Sequence, residues 1–119
     1  MFIGASEGSA FRYEVIEDGE GFLVRMRDLA TGAVEEDETR MYRTAAVAFA
    51  YAELSAAFDR YAAARVNRDE SARILLIELT TQQALYQDLS GRLGDEGLAA
   101  HVLAAWNEHE SAEDRRRLH

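Results

Sequence analysis

Residues 44–64 read TAAVAFAYAELSAAFDRYAAA, and ten of these 21 residues are alanine. Alanine is the strongest helix former, so the stretch predicts a helix with little help from its surroundings. Thr44 is the expected N-cap, with Thr39 as the earlier option, and the helix should end near Val66. Val47, Tyr51, Leu54, Phe58 and Tyr61 fall at spacings of four, three, four and three, which predicts one apolar stripe facing a core. The alanines beside that stripe admit close neighbours from more than one side. Alternating sequence precedes the helix and further helical sequence follows it, so this stretch decides the architecture.

On its N-terminal side, Phe11–Ile16 alternates, with Phe11, Tyr13 and Val15 opposite Arg12, Glu14 and Ile16. Phe22–Asp28 alternates again. Between them, Glu17-Asp18-Gly19-Glu20-Gly21 is a turn. Leu29-Ala30-Thr31-Gly32 predicts a second tight turn, with Gly32 left-handed, and leads into a third strand from Ala33 to about Glu38. The expectation is a small antiparallel β-meander of about three strands over residues 10–38. A meander this small needs a helix to cover it. Residues 1–9 read as a short edge strand followed by a flexible leader.

On the C-terminal side, Asn67 with Glu70 three residues later resembles a capping box for a second helix reaching about Ser90. Leu75, Leu79, Gln82, Tyr86, Leu89 and Leu93 repeat as a heptad seam, and Ile74 and Ile77 widen the apolar face. Gly91 and Gly94 break that helix. Asp95 is expected to cap a third helix whose inner face carries Leu98, Val102, Leu103 and Trp106. Ser111 starts a last turn, and residues 115–119 read as a frayed tail. Strands first and helices after is the α+β order. The reading is one domain over 1–119, with a meander, a long Ala-rich helix and two or three further helices within residues 44–110.

Composition narrows the chemistry. The chain has 119 residues, 48% of them hydrophobic, with no cysteine, and all 13 basic residues are arginine. The missing lysine removes Schiff-base chemistry and the lysine-bearing phosphate loop. The missing cysteine removes thiolate nucleophiles and disulfides. The longest apolar run, Ala45–Ala52, is far short of a membrane span, and a cytoplasmic protein is expected. The net charge is −9. It is uneven: residues 1–38 hold ten acids and three arginines, and the remainder twelve acids and ten arginines. Such an acidic pole repels nucleic acid and attracts a basic partner.

The motifs that bear chemistry are few. Gly4-Ala5-Ser6-Glu7-Gly8 matches the nucleophile-elbow pattern, but that motif needs a core strand before it and a helix after it. His101 and His109 lie eight residues apart, about 12 Å along a helix, too far to share a metal. No metal or cofactor is expected. Glu78 interrupts an apolar run and is the acid expected to be partly buried. Tyr42, Tyr51, Tyr86 and Trp106, with His101 and Glu78, would line a ligand cavity between sheet and helices if one exists. Glu35, Glu36, Asp37 and Glu38 form the densest run of charge. They would guard a sheet edge or meet a basic partner.

Three functions follow in order. The first is a non-enzymatic acidic protein–protein interaction module that also self-associates as a homodimer. The second is a small-molecule-binding protein or small enzyme using the tyrosine-lined pocket. The third is a nucleic-acid-mimicking inhibitor. Direct nucleic-acid binding and a membrane partner are not expected.

Overall fold

The computed structural model describes residues 1–99. Its elements are β1 (Phe2–Glu7), β2 (Phe11–Asp18), β3 (Gly21–Asp28), β4 (Val34–Tyr42), α1 (Ala45–Val66), α2 (Ala72–Leu93) and the short β5 (Leu98–Ala99). The α+β expectation holds, with the sheet larger than expected. Five strands lie in the order β1-β2-β3-β4-β5, every neighbouring pair antiparallel. The edge strand at the N-terminus is β1, paired along β2 from Phe2↔Ile16 to Glu7↔Arg12. The third meander strand runs past Glu38 to Tyr42. Gly32 takes the expected positive φ of 76° in the β3–β4 turn.

Alternation along β2 and β3 places Tyr13, Val15 and Val24 on the face that α1 covers. The way α1 meets that face differs from the sequence expectation. Ala48, Ala52 and Ala56, spaced by four, enter the core with Val47. Phe58, placed on the predicted inner stripe, is 60% exposed. A bare methyl lets the helix backbone approach the sheet closely, and larger side chains are displaced to the flanks. Tyr51, on one flank, packs against the core rim. A second alanine set, Ala50, Ala57 and Ala64, is also buried. Its seven-residue recurrence is that of a helix–helix seam, and α2 packs along α1.

The predicted α2 seam is borne out as far as Leu89. Leu75, Leu79, Gln82, Tyr86 and Leu89 are all half-buried, whereas Leu93 is exposed. The seam is therefore used within the chain, against α1. The backbone of α2 does not approach the strands, and only long side chains such as Tyr86 and Leu89 reach the sheet core.

The helix boundaries combine confirmation and correction. Thr44 is the N-cap of α1, and its hydroxyl accepts from the Val47 amide at 3.4 Å. Asn67 does not open α2; it is the C-cap of α1, with its amide donating to Ala63 O. Ser71 precedes α2 without a side-chain cap. Gly91 lies inside the helix, and Gly94 ends it in the left-handed region at φ 61°, where a side chain would be strained. The expected third helix does not begin at Asp95, because Leu98 and Ala99 pair with Met41 and Arg40 as β5. The Asp95 carboxylate instead serves α1. One oxygen accepts from the Arg43 amide (3.0 Å), the Thr44 amide (2.9 Å) and the Thr44 hydroxyl (3.0 Å). Asp95 is 3% exposed. The negative charge sits at the positive end of the α1 dipole, where it is stabilising. Val102, Leu103, Ser111, His109 and the tail 115–119 lie outside the described residues.

Candidate functional site

Of the residues assigned to a ligand cavity, three come together. Tyr42 from β4, Tyr51 from α1 and Tyr86 from α2 form a ring cluster, with centroids 5.5 Å (42–51), 5.7 Å (51–86) and 6.2 Å (42–86) apart. The Tyr42–Tyr86 pair is edge-to-face at 87°, a favoured aromatic geometry. Their hydroxyls share a hydrogen bond of 2.8 Å. Tyr42 is almost fully buried, and burial above all, followed by the Tyr86 hydroxyl, raises its pKa from the ordinary tyrosine value. The Arg40 guanidinium lies 5.4 Å from the centre of the Tyr51 ring, a cation–π contact. Its Nε is buried without a hydrogen-bond partner among the described residues. These rings pack on one another. A groove of about 690 Å³ is lined by Met41, Tyr42, Arg43, Gly94, Asp95 and Leu98 among others, without Tyr51 or Tyr86.

Glu78 is not part of this cluster. It pairs with Arg60 at 2.6 Å, and Arg60 also donates to the Glu7 carbonyl at 2.6 Å, so the acid helps tie α2 and α1 to β1. His101 and Trp106 lie outside the described residues. Ser6 of the elbow-like motif sits in strand β1 and donates to Glu53 at 2.6 Å. A nucleophile elbow places its serine on a strand-to-helix turn, whereas Ser6 lies within β1, which leads by a hairpin into β2.

The acidic run has its own geometry. Along β4, the pairing with β3 jumps from Met26↔Glu35 to Val24↔Arg40. Five steps on β4 thus face two on β3, and the intervening residues leave the ladder as a wide irregularity. Glu35, Glu36, Asp37 and Glu38 are all exposed, and none of them makes an ion pair with a described residue. Four other acids, Glu7, Glu14, Glu78 and Asp88, are paired with arginines. On the sheet face opposite α1, Glu14 binds Arg25 (2.7 Å) and Arg27 (3.1 Å). Burial would raise the Glu14 pKa, but the two guanidiniums outweigh it and hold the carboxyl below its usual range.

Two acids have structural tasks that the sequence did not indicate. Asp95 holds the start of α1 from about fifty residues away, as described above. Asp59 of α1 accepts from the Ala10 and Phe11 amides, each at 3.0 Å, and so fixes the β1–β2 turn. Gly8 is required there, because a Cβ would overlap the Asp59 carboxylate. Among the described residues no group of three or more His, Cys, Asp or Glu could hold a metal ion, and no helix is long and apolar enough to cross a membrane. Compared with known protein families, with curated proteins and with solved structures, the chain finds no match in any of the three.

Proposed function

We propose that this protein is a non-enzymatic interaction module. It docks a basic partner protein through Glu35–Glu38 and self-associates through a helical face. One observation carries the reading. Glu36, Asp37 and Glu38 stand outside the β-ladder and Glu35 at its edge, and all four are exposed without an ion pair to a described residue, whereas Glu7, Glu14, Glu78 and Asp88 are each matched by an arginine. Uncompensated charge on an irregular strand speeds the approach of an oppositely charged surface and selects against acidic ones. It also discourages the open part of β4 from pairing with a foreign strand. Among the described residues, two groups considered for chemistry are held in structural contacts, Ser6 with Glu53 and Glu78 with Arg60.

The test compares two variants of equal charge against an immobilised arginine-rich peptide. One neutralises Glu35, Glu36, Asp37 and Glu38 to the matching amides. The other neutralises Glu17, Asp18, Glu20 and Glu96. The first should abolish salt-sensitive retention with the far-ultraviolet spectrum unchanged, and the second should leave most of it. Equal loss in both variants would reduce the effect to net charge and defeat the assignment of the β4 segment.

A further inference from the structure

The heptad seam of α2 is spent on α1, yet α2 carries a second stripe. Ile74 and Ile77 are 71% and 68% exposed, and Leu85 is 46% exposed. With Thr81 and Ala84, also exposed, the positions 74, 77, 81 and 84 step by three, four and three, the spacing of a helix-packing seam. The stripe lies roughly a third of a turn from the α1-facing side and runs about 16 Å along the helix. Its one polar side chain is already satisfied: the Thr81 hydroxyl donates to the Ile77 carbonyl at 2.9 Å. Burying Thr81 against an apolar surface therefore leaves no unpaired donor.

Each end of the stripe carries one acid and one arginine. Glu70 and Arg73 flank its start, and Asp88 and Arg92, paired with each other at 2.5 Å, follow its end, all exposed. We propose that this stripe is the face on which a second copy of the chain docks, with the two α2 helices antiparallel about a two-fold axis at Thr81. In that register Ile77 meets Leu85 of the second copy, Ile74 falls opposite its Asp88 with Arg73 alongside, and Glu70 lies beside its Arg92, so the Asp88–Arg92 pair is extended at both ends into a row of alternating charge. A parallel pairing would instead set Arg73 against Arg73 and Asp88 against Asp88, which costs affinity. An isologous contact of this kind repeats every favourable pair twice. The stripe is shorter than a standard interface, so the dimer is weak and forms at high protein concentration. The inference rests on the self-association part of the proposed function and is independent of the acidic β4 segment.

The chain lacks cysteine, so a single introduced thiol reports one position. Under mild oxidation Thr81→Cys should give a disulfide-linked dimer, because a residue on the axis faces its own copy within disulfide reach. Gln87→Cys, exposed on a different side of α2, should remain monomeric. Ile77→Glu should weaken association at least ten-fold by sedimentation at up to on the order of 1 mM protein. Because Ile77 is exposed, the variant's circular dichroism should match that of the parent. Arg73→Glu should weaken the dimer and Asp88→Arg in the same chain should restore it. Equal cross-linking at positions 81 and 87, or a dimer indifferent to Ile77→Glu, would overturn this geometry while leaving self-association standing. A monomer at every concentration would overturn both. A monomer whose single tryptophan, Trp106, changes emission on Ile77→Glu would assign the stripe to residues 100–119 instead.

Discussion

The two helices have the same length and opposite habits. Each spans 22 residues. Helix α1 buries seven residues, six of them alanine, and leaves Phe58 outside. Helix α2 buries only Ser90 fully, keeps its large seam residues half-covered, and exposes Ile74 and Ile77. The difference follows from position. Helix α1 lies between the sheet and α2, so both of its contacts demand close backbone approach, and alanine permits that. Among the described residues helix α2 has one neighbouring element, α1, so its large side chains reach inward on one side while another apolar side is left uncovered there. In this molecule burial is decided by what surrounds a side chain more than by its hydrophobicity.

Three perturbations test that contrast. The largest effect belongs to the alanine face. Ala52→Leu inserts three carbons where the helix and sheet nearly touch, and should lower stability by about 2–3 kcal/mol in chemical denaturation. Phe58→Ser, which removes a whole ring, should change it by no more than about 0.5 kcal/mol. If the ring proves dearer than the added methyls, the contrast fails. Next comes the start of α1. Asp95→Ala leaves two amides and a hydroxyl without their acceptor and should cost about 2 kcal/mol, with Asp95→Asn recovering part of it.

The smallest effect belongs to the attachment of α2. Tyr86→Phe deletes the hydroxyl bond between α2 and β4 and should cost about 1 kcal/mol. Its amides in α2 should exchange with solvent sooner than those of α1. The parent should also show an alkaline limit. Burial, and then the Asp59 carboxylate, pushes the Tyr13 pKa up to about 12, and Tyr42 is raised as well. A raised pKa means the folded state favours the neutral phenol. The stabilisation is therefore complete below the ordinary tyrosine value of 10.0 and is lost as pH rises through about 12. Removing the Tyr86 hydroxyl takes away one cause of the Tyr42 shift, so the alkaline decline of Tyr86→Phe should level off at a lower pH and its total loss should be smaller. An identical pH profile would show that the hydroxyl pair does not couple α2 to the sheet.

Local patterns in the sequence were legible and long-range ones were not. Alternation located β2 and β3, the left-handed Gly32 marked its turn, Thr44 marked the start of α1, and the three–four spacing found the inner face of α2. Each of these depends on neighbours within one turn or one hairpin. The orientation of α1 did not follow, because hydropathy ranks Phe58 and Tyr51 above alanine, while the geometry of close packing favours the smaller residue. Asp95 was misjudged for a related reason: an acid before an apolar stretch looks like a local cap, and its actual acceptor role is set by a contact across the fold. Of the candidate site, the exposure of Glu35–Glu38 matched their composition. The meeting of Tyr42, Tyr51 and Tyr86 was anticipated as a cavity wall, whereas the rings fill the space themselves. Glu78 went to Arg60, a partner eighteen residues away that its own run of apolar neighbours did not indicate.

The alanine face of α1 also bears on how the fold is reached. Ordering a large side chain at an interface forfeits rotamer freedom, roughly 0.5–1 kcal/mol for leucine or isoleucine, whereas alanine has none to lose. The α1–sheet joint through Ala48, Ala52 and Ala56 therefore closes without freezing side chains on the helix side. Its entropic toll is confined to the backbone, which the alanine-rich stretch already biases toward helix. The centre of the molecule is thus its least demanding contact to assemble, and the tyrosines and arginines that must be fixed in place lie around its margin.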